Sequence, residues 1–295
     1  MELMNEAALR YLIETRKKQM RQTQLLFLLG VFCILCGVFR LPVWARVLLM
    51  LGGVLLCLRS HAWKKRREAA LREALSHAIL PGLLSQFFQV QAYQPGGHLD
   101  PPTIREAGLN FPHPFEGVEG SDYLRADYQG MTFSMSDLSL YEHHRAKEAN
   151  GTFKWYRMRR FQGLWMICHW GRTFPSDFCV SERSPMGKKD QRTGIKTADP
   201  EFDRNFLVTS SDPEAALHSL TPRMMALIQA LDQKGRGDLY LRFTKDGTVH
   251  IAIDSGRDSF ELGPVGSITY DSLEQRFLQE VRYITELLDL LIQER

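Results

Sequence analysis

The residues that could carry chemistry cluster in the middle of the chain, where Glu142 precedes His143 and His144 and where Cys168 precedes His169. Carboxylate, imidazole and thiolate groups are ligands of zinc and similar metals, so this set suggests a metal-dependent hydrolase. Adjacent residues of a strand point to opposite faces, however, and His143 and His144 cannot both face one ion on a regular strand. The pattern favours solvated histidines at the end of a hairpin over a metal site.

Other short motifs lack the context that their chemistry requires. Cys33 and Cys36 have the C-x-x-C spacing of redox and zinc sites, but both lie in an apolar run, where a thiolate is costly. Residues 187–189 read Gly-Lys-Lys, without the preceding glycine or the following Ser or Thr of a phosphate-binding loop. No G-x-S-x-G motif occurs. We therefore assign no catalytic, cofactor-binding or metal residue and no cofactor, and the sequence favours a protein that is not an enzyme.

Residues 154–165 form a segment that is both aromatic and basic. Its side chains of these two kinds are Lys154, Trp155, Tyr156, Arg157, Arg159, Arg160, Phe161 and Trp165. Aromatic rings next to cations could stack on single-stranded nucleic acid. In a strand, Trp155 and Tyr156 face opposite sides, and the same pattern suits a charged sheet face near an anionic membrane or a protein-binding face.

The distribution of charge decides between these interpretations. The 295 residues carry 37 Lys and Arg against 34 Asp and Glu, a formal net charge of +3. Residues 1–72 hold 13 of the basic and 4 of the acidic side chains, which leaves 24 against 30, a net charge of −6, for the rest. This acidic balance disfavours nucleic acid as a partner, because phosphate contacts need a basic excess on the folded domain. Five cysteines and 11% aromatic residues also exclude disulfide-rich and disordered classes.

Two apolar runs, residues 23–39 and 41–58, predict a pair of membrane-spanning helices. Each run reaches about 26 Å as a helix, close to the roughly 30 Å of a hydrocarbon core. Eleven Lys and Arg flank the pair, whereas two, Arg40 and Arg46, lie in or near the turn. The positive-inside rule places both flanks in the cytoplasm. The closely following second run argues against a signal peptide, and the run lengths argue against a soluble core hairpin.

The region after the second run begins with a predicted helix and an irregular segment. The residues after Trp63 are rich in Ala, Leu, Glu and Arg, and they predict a helix that ends at Pro81-Gly82. The density of proline and glycine between Gln94 and Gly120 predicts a linker or lead-in loop, with neither regular helix nor central strand.

From residue 122 the chain shows strand-like runs separated by turn residues. Turns at Gln129-Gly130, Gln162-Gly163 and Asp246-Gly247 predict three hairpins, the last with a primed turn. Runs at 177–182 and 205–210 predict two shorter strands, and the alternation of apolar residues from Phe202 to Val208 is typical of an incoming strand.

Capping pairs and apolar spacing predict the helices of this region. Asp212-Pro213 and Thr221-Pro222 each combine an N-cap residue with a proline that suits the first helical turn. Residues 272–294 predict a helix with one apolar seam, formed by Phe277, Val281, Ile284, Leu288 and Leu291. Strands and helices in segregated runs predict an α+β domain with a mostly antiparallel sheet.

Four blocks of sequence, taken in order, resemble a known family. They are residues 161–165 (Phe-Gln-Gly-Leu-Trp), 199–212, 220–225 and 239–253. Their order and length are similar to those of the bacterial domain of unknown function 3137 family. The resemblance implies two N-terminal membrane helices before such a domain, no characterised activity and no agreed catalytic residues. It also implies an association with LemA-like membrane proteins, which suggests one of them as a partner.

These features together predict the organisation of the chain. The predicted parts are a cytosolic basic segment at 1–22, a transmembrane helical hairpin at 23–58, a juxtamembrane helix at 59–93, a linker at 94–120 and a cytosolic α+β domain at 121–295. We expect a two-pass protein of the bacterial inner membrane, with the lipid bilayer and a membrane protein as partners and both termini in the cytoplasm. Its cytosolic domain is expected to be a non-enzymatic binding or scaffold module. The alternatives are a membrane-tethered metal-dependent hydrolase and an accessory subunit of a membrane transport or envelope complex.

Overall fold

A computed structural model describes most of the chain. The described residues are 14, 18, 21–32, 34–35, 42–147, 151–183, 194–260 and 270–295, with helix side chains left out at 43, 46, 49, 64–79 and 270–273. The chain divides into two compact units. Residues 1–83 and 262–277 form the first unit, and residues 84–261 and 278–295 form the second.

The first unit contains two apolar helical segments that touch through glycine. Residues 21–32 and 34–35 are helical, and helix α1 spans Val43–Phe87. A Cβ atom added to Gly53 would lie 2.6 Å from the carbonyl oxygen of Gly30, so this close approach needs glycine. Large apolar side chains of both segments are exposed: Leu25, Phe27, Leu28, Leu29, Phe32, Leu35, Trp44, Val47, Leu48, Leu51, Val54, Leu55 and Leu58.

Among the described residues, no helix combines the length and the apolar character that a membrane crossing needs. Parts of both predicted spans lie outside the described residues, including Cys33 and the segment 36–41 with Cys36.

The sequence predicted that the helix after Trp63 ends at Pro81-Gly82, but helix α1 continues beyond these residues. Pro81 lies inside it, and the helix continues to Phe87. A proline inside a helix costs about 3 kcal/mol. Burial of Leu80, Leu83 and Leu84 in the last turns offsets that cost, since each is 5% exposed or less. The predicted juxtamembrane helix therefore stops before residue 89, where the first strand begins.

Eight antiparallel strands form one sheet in the second unit, which confirms the predicted α+β class. The strands are β1 (Gln89–Gln94), β2 (Gly117–Tyr128), β3 (Met131–Lys147), β4 (Phe153–His169), β5 (Phe178–Glu182), β6 (Phe206–Ser210), β7 (Asp238–Phe243) and β8 (Thr248–Asp254). Their order across the sheet is β1-β2-β3-β4-β8-β7-β5-β6. Every neighbouring pair is antiparallel.

Five further helices are described: α2 (Pro101–Glu106), α3 (Pro200–Asn205), α4 (Pro213–Ser219), α5 (Pro222–Lys234) and α6 (Tyr270–Gln293). The predicted caps are confirmed, because Asp212 accepts a hydrogen bond from the Ala215 N–H and Thr221 accepts one from the Met224 N–H. The predicted seam of α6 is fully buried, with each of its five apolar side chains 0% exposed.

Two segments predicted as loop or strand contain short helices. Helix α2 lies inside the predicted linker. A helix is possible in this proline-rich segment because Pro101 and Pro102 occupy its first turn, where a missing N–H costs little. Helix α3 occupies the first residues of the segment 202–208, whose alternation is typical of an incoming strand. Its cap is Asp199, whose Oδ1 accepts the N–H groups of Glu201 and Phe202 at 2.9 and 3.1 Å. Capping thus outweighs the alternation of apolar residues, and strand β6 begins only at residue 206.

Strand β4 is continuous where the sequence predicted a hairpin turn at Gln162-Gly163. Gly163 pairs in register with Leu138 of β3 and has no positive φ. A Cβ atom added to Gly163 would lie 2.1 Å from the carbonyl oxygen of Ile253. The absence of a side chain at Gly163 therefore allows the backbone of β8 to pack closely against β4, and the chain does not turn there.

The two other predicted turns connect strands as expected, but the primed geometry predicted at Asp246-Gly247 is found at Gln129-Gly130 instead. Gln129 and Gly130 both have positive φ, at 47° and 79°, as a primed turn requires. In the connection from β7 to β8 the positive φ belongs to Gly247 and not to Asp246. The Gly247 N–H donates to the Thr244 carbonyl at 3.0 Å, so a four-residue connection replaces the primed turn.

The central part of β4 is buried on both faces of the sheet. Phe161, Trp165 and Ile167 belong to one core cluster, together with Leu99, Ile104, Ala107, Leu138, Leu140, Tyr240 and Ala252. The alternate residues Leu164, Met166 and Cys168 are buried on the opposite face. On the chain that follows β4, the Trp170 Nε1–H donates to the Leu291 carbonyl of α6 at 2.6 Å. Helix α6 is thereby joined to the sheet.

Replacing Gly163 with alanine should lower the free energy of unfolding by about 1–3 kcal/mol, because the new methyl group would overlap a backbone oxygen that cannot rotate away. Gly96→Ala is the matched control, since nothing lies within 4 Å of a Cβ at Gly96. Thermal and denaturant unfolding of both variants would measure the difference. Equal effects of the two substitutions would contradict the close approach of β8 to β4.

Candidate functional site

The candidate histidines lie next to each other on β3 but do not converge. His143 Nδ1 lies 3.1 Å from Glu116 Oε2, and His144 Nε2 lies 3.2 Å from Glu142 Oε2. Arg160 donates two hydrogen bonds to the same oxygen of Glu142, at 2.8 and 2.6 Å. The two imidazoles face opposite sides of the sheet, as strand alternation requires, and each has its own carboxylate partner.

Cys168 and His169 lie far from these histidines. Cys168 pairs in register with Phe133, ten residues along β3 from His143, a distance of about 33 Å along the strand. Burial raises the pKa of the Cys168 thiol to about 12, so the thiolate is absent at neutral pH. The structure therefore does not bring the candidate metal ligands together, and the sequence had favoured solvated histidines. Among the described residues, the clusters that could hold a metal ion contain no histidine or cysteine.

Strands β3 and β4 extend past their neighbours as a two-stranded arm, which we define as residues 141–147 and 153–160. Strand β2 pairs with β3 only as far as Tyr141, and β8 pairs with β4 only from Leu164 onward. Within the arm, β3 and β4 pair with each other from Tyr141 and Arg159 to Lys147 and Phe153. At about 3.3 Å per residue the arm is roughly 20 Å long.

The arm carries most of the exposed apolar surface of the second unit. Trp155 is 64% exposed and Phe153 is 55% exposed, and Tyr156 and Met158 are also exposed. Outside the arm, the described part of this unit exposes one other large hydrophobic side chain, Leu217. Such concentration of exposed apolar groups is typical of an interaction surface.

Cationic side chains share the arm with these rings. They are Arg145, Lys147, Lys154, Arg157, Arg159 and Arg160. The Arg145 guanidinium carbon lies 4.0 Å from the centre of the Phe153 ring, and that of Arg157 lies 3.5 Å from the centre of the Tyr141 ring. Cation–π contacts hold the guanidinium groups against the rings. The arm thus presents apolar and positively charged surface together.

The sequence predicted the arm's basic and aromatic character but missed its acidic partners on β2 and just before it. Arg157 forms an ion pair with Glu119, and this contact lowers the pKa of the Glu119 carboxyl. Glu116 accepts from His143. These partners lie 27 to 38 residues away along the chain, so only the strand register brings them to the arm.

A histidine that the sequence did not single out is buried in the sheet. His250 of β8 is 8% exposed, lies opposite Arg242 and makes an edge contact with Trp165, with 6.4 Å between ring centres. Its Nδ1 atom has no hydrogen-bond partner among the described residues. Burial, together with the charge of Arg242, lowers the pKa of His250 to about 4. The imidazole is therefore neutral at neutral pH.

Comparison with known proteins finds a family model that matches part of the chain and a solved structure that is similar to it. Residues 159–292 match the family model described as protein of unknown function (DUF3137), which confirms the resemblance over that part of the chain. No curated protein matches the chain. Among solved structures, the mycobacterial trehalose monomycolate transport factor A, TtfA, is similar at 10% sequence identity with a TM-score of 0.36. The similarity covers 74% of this chain and 93% of that chain.

Acidification should destabilise the protein in part through His250. The pKa of His250 is lower in the folded state than the usual 6.5. Between pH 6.5 and pH 4 the unfolded state therefore binds a proton that the folded state does not, and the free energy of unfolding decreases as the pH decreases. The loss attributable to this residue is about 2 kcal/mol at pH 5. His250→Gln should remove this part of the loss, measured as the difference in unfolding free energy between variant and wild type at pH 7.5 and pH 5. A difference that does not change with pH would contradict a buried neutral imidazole.

Proposed function

We propose that this chain, whose residues 159–292 belong to the DUF3137 family, is a two-pass protein of the bacterial inner membrane whose α+β domain is a non-enzymatic binding module. The proposed binding surface is the arm, and its proposed ligand is the anionic cytoplasmic surface of the membrane. The observation that carries the proposal is the concentration of exposed aromatic and cationic side chains on the arm.

The N-terminal helices support the membrane part of the proposal. Large exposed apolar side chains are concentrated in the described residues between Leu25 and Leu58, a concentration that is unusual for a protein surface in water. The glycine contact between Gly30 and Gly53 resembles the small-residue packing of membrane helices. Eleven flanking cations against two near the turn support cytoplasmic termini.

The chemistry of the arm suits the interface between lipid and water. Tryptophan and tyrosine rings partition to the headgroup region, and Lys and Arg are attracted to anionic headgroups. Trp155 and Phe153 provide exposed rings, and the neighbouring cations provide charge. Because residues 73–295 carry a net charge of −6, attraction to the membrane needs a local basic surface of this kind.

A protein partner is the second candidate ligand of the arm, since rings flanked by arginine are also typical of protein interfaces. The family resemblance suggests a LemA-like membrane protein, and the module would then be an accessory subunit of an envelope complex. Crosslinking in native membranes through a photoreactive residue at position 155 would recover such a partner.

Flotation with vesicles tests the lipid-binding proposal. A fragment of residues 84–295 contains all eight strands, and its circular dichroism would verify that it folds. We expect the fragment to float with vesicles rich in phosphatidylglycerol and to remain behind with phosphatidylcholine vesicles, because binding needs both rings and opposite charge. The double substitution Phe153→Ser and Trp155→Ser should reduce flotation several-fold.

Leu217→Ser is the matched control, since it removes an exposed apolar side chain outside the arm. It should leave flotation unchanged. Equal binding to both vesicle types, or equal effects of the arm and control substitutions, would refute lipid binding by the arm.

Reporter fusions test the proposed topology. Alkaline phosphatase, which is active only outside the cytoplasm, should be inactive when fused after Arg295 and active when inserted at residues 40–44, because the charge bias places the turn outside. An active fusion at the C-terminus would overturn the proposed orientation.

A further inference from the structure

Three carboxylates from separate parts of the chain meet beside the base of the arm. Asp122 lies on β2, Asp137 on β3 and Asp258 in the loop after β8. One carboxylate oxygen from each lies within 4.8 Å of the others. Asp137 and Asp258 also line a cleft of about 200 Å³ between β2, β3, β4 and that loop.

Asp137 supplies a buried oxygen that lacks a protein partner. The residue is 4% exposed, and its Oδ1 accepts a hydrogen bond from the Ser259 hydroxyl at 2.8 Å. Its Oδ2 is buried without a hydrogen-bond partner among the described residues. An unsatisfied carboxylate oxygen in the interior is costly, so this atom is expected to bind something that the protein itself does not provide.

The backbone and neighbouring side chains orient the other two carboxylates toward Asp137. A bulge in β2 places Asp122 at φ 57°, and the Tyr93 hydroxyl donates to its Oδ1 at 2.7 Å. The Phe260 N–H donates to Asp258 Oδ1 at 3.0 Å. In all three residues Oδ1 accepts a hydrogen bond from the protein, an arrangement that fixes carboxylates around a metal ion.

Two of the three carboxylates, Asp122 and Asp137, have no cationic partner among the described residues, although Arg257 lines the same cleft. Burial and the charge of Asp258 raise the pKa of Asp137 well above its usual range and raise that of Asp122 to about 6. A negative charge on Asp122 or Asp137 is therefore held at a cost unless a positive ion binds.

We propose that Asp122, Asp137 and Asp258 bind one hard divalent cation, of the class of Mg²⁺, Mn²⁺ or Ca²⁺. Carboxylate oxygens are the preferred ligands of these ions, and the absence of sulfur and nitrogen from the cluster disfavours zinc and copper. The ion would join the loop after β8 to β2 and β3. The proposal is independent of the arm and of lipid binding.

Titration of the purified full-length chain with metal tests the proposal. After treatment with EDTA, the detergent-solubilised protein would be titrated with MnCl₂, MgCl₂ and CaCl₂, with calorimetry for all three ions and electron paramagnetic resonance for Mn²⁺. We expect one ion per chain and a saturable rise in the unfolding temperature, because the ion binds the folded state alone.

Asp137→Asn and Asp258→Asn should each weaken binding at least about tenfold, and Tyr93→Phe should weaken it by a smaller factor. Asp100→Asn is the control, since Asp100 is exposed and its side chain caps no helix. Asp258→Asn keeps the test decisive if the buried substitution at 137 disturbs folding. No saturable binding in the wild type, or unchanged affinity in the Asp258→Asn variant, would overturn the proposal.

Discussion

The second unit depends on one constraint: strand β4 has partners on both edges only from Leu164 to Cys168. At Gly163 the backbone of β8 lies close against β4, and beside Gln162 it turns away. The Gln162 N–H donates to Asp254 Oδ1 at 3.0 Å, and the Gly256 N–H donates to the Gln162 carbonyl at 2.8 Å. On one side of this point β4 is buried on both faces, and on the other it continues with β3 as the arm. Core and arm are therefore two parts of the same strands.

The same divergence creates the acidic cluster. The loop that leaves β8 brings Asp258 and Ser259 to β3, and the bulge in β2 brings Asp122 to the same place. The left-handed backbone at Asp122 costs about 1–2 kcal/mol, and burial of Asp137 adds the desolvation of a carboxylate. Departures from the rules of stable packing that coincide at one place are typical of functional sites. The anionic cleft thus lies beside the base of the cationic arm, at the point where β8 departs.

The arm shows how far the sequence predicted the candidate site. The rings and cations of residues 154–160 are consecutive in the chain, so their alternation was evident from local pattern. The exposure of these side chains could not be predicted from the sequence, because it arises where β2 stops pairing with β3 and β8 stops pairing with β4. The ion pair between Arg157 and Glu119 also depends on register. Register also separates the candidate metal ligands, which the sequence had already disfavoured: His143 and Cys168 lie at opposite ends of two paired strands.

The sequence by itself determined what depends on near neighbours along the chain: the charge bias of the first 72 residues, the α+β class, and the helix starts at Asp212 and Thr221. A cap or an alternation involves a few adjacent residues, so its energetics are local. Tertiary structure decided whether Pro81 would end a helix and whether Gly163 would turn a strand, because burial and the approach of a distant backbone outweigh local preference. It also decided which carboxylates meet. Strand register and one loop bring Asp122, Asp137 and Asp258 together, and the spacing of these residues in the sequence does not predict their proximity.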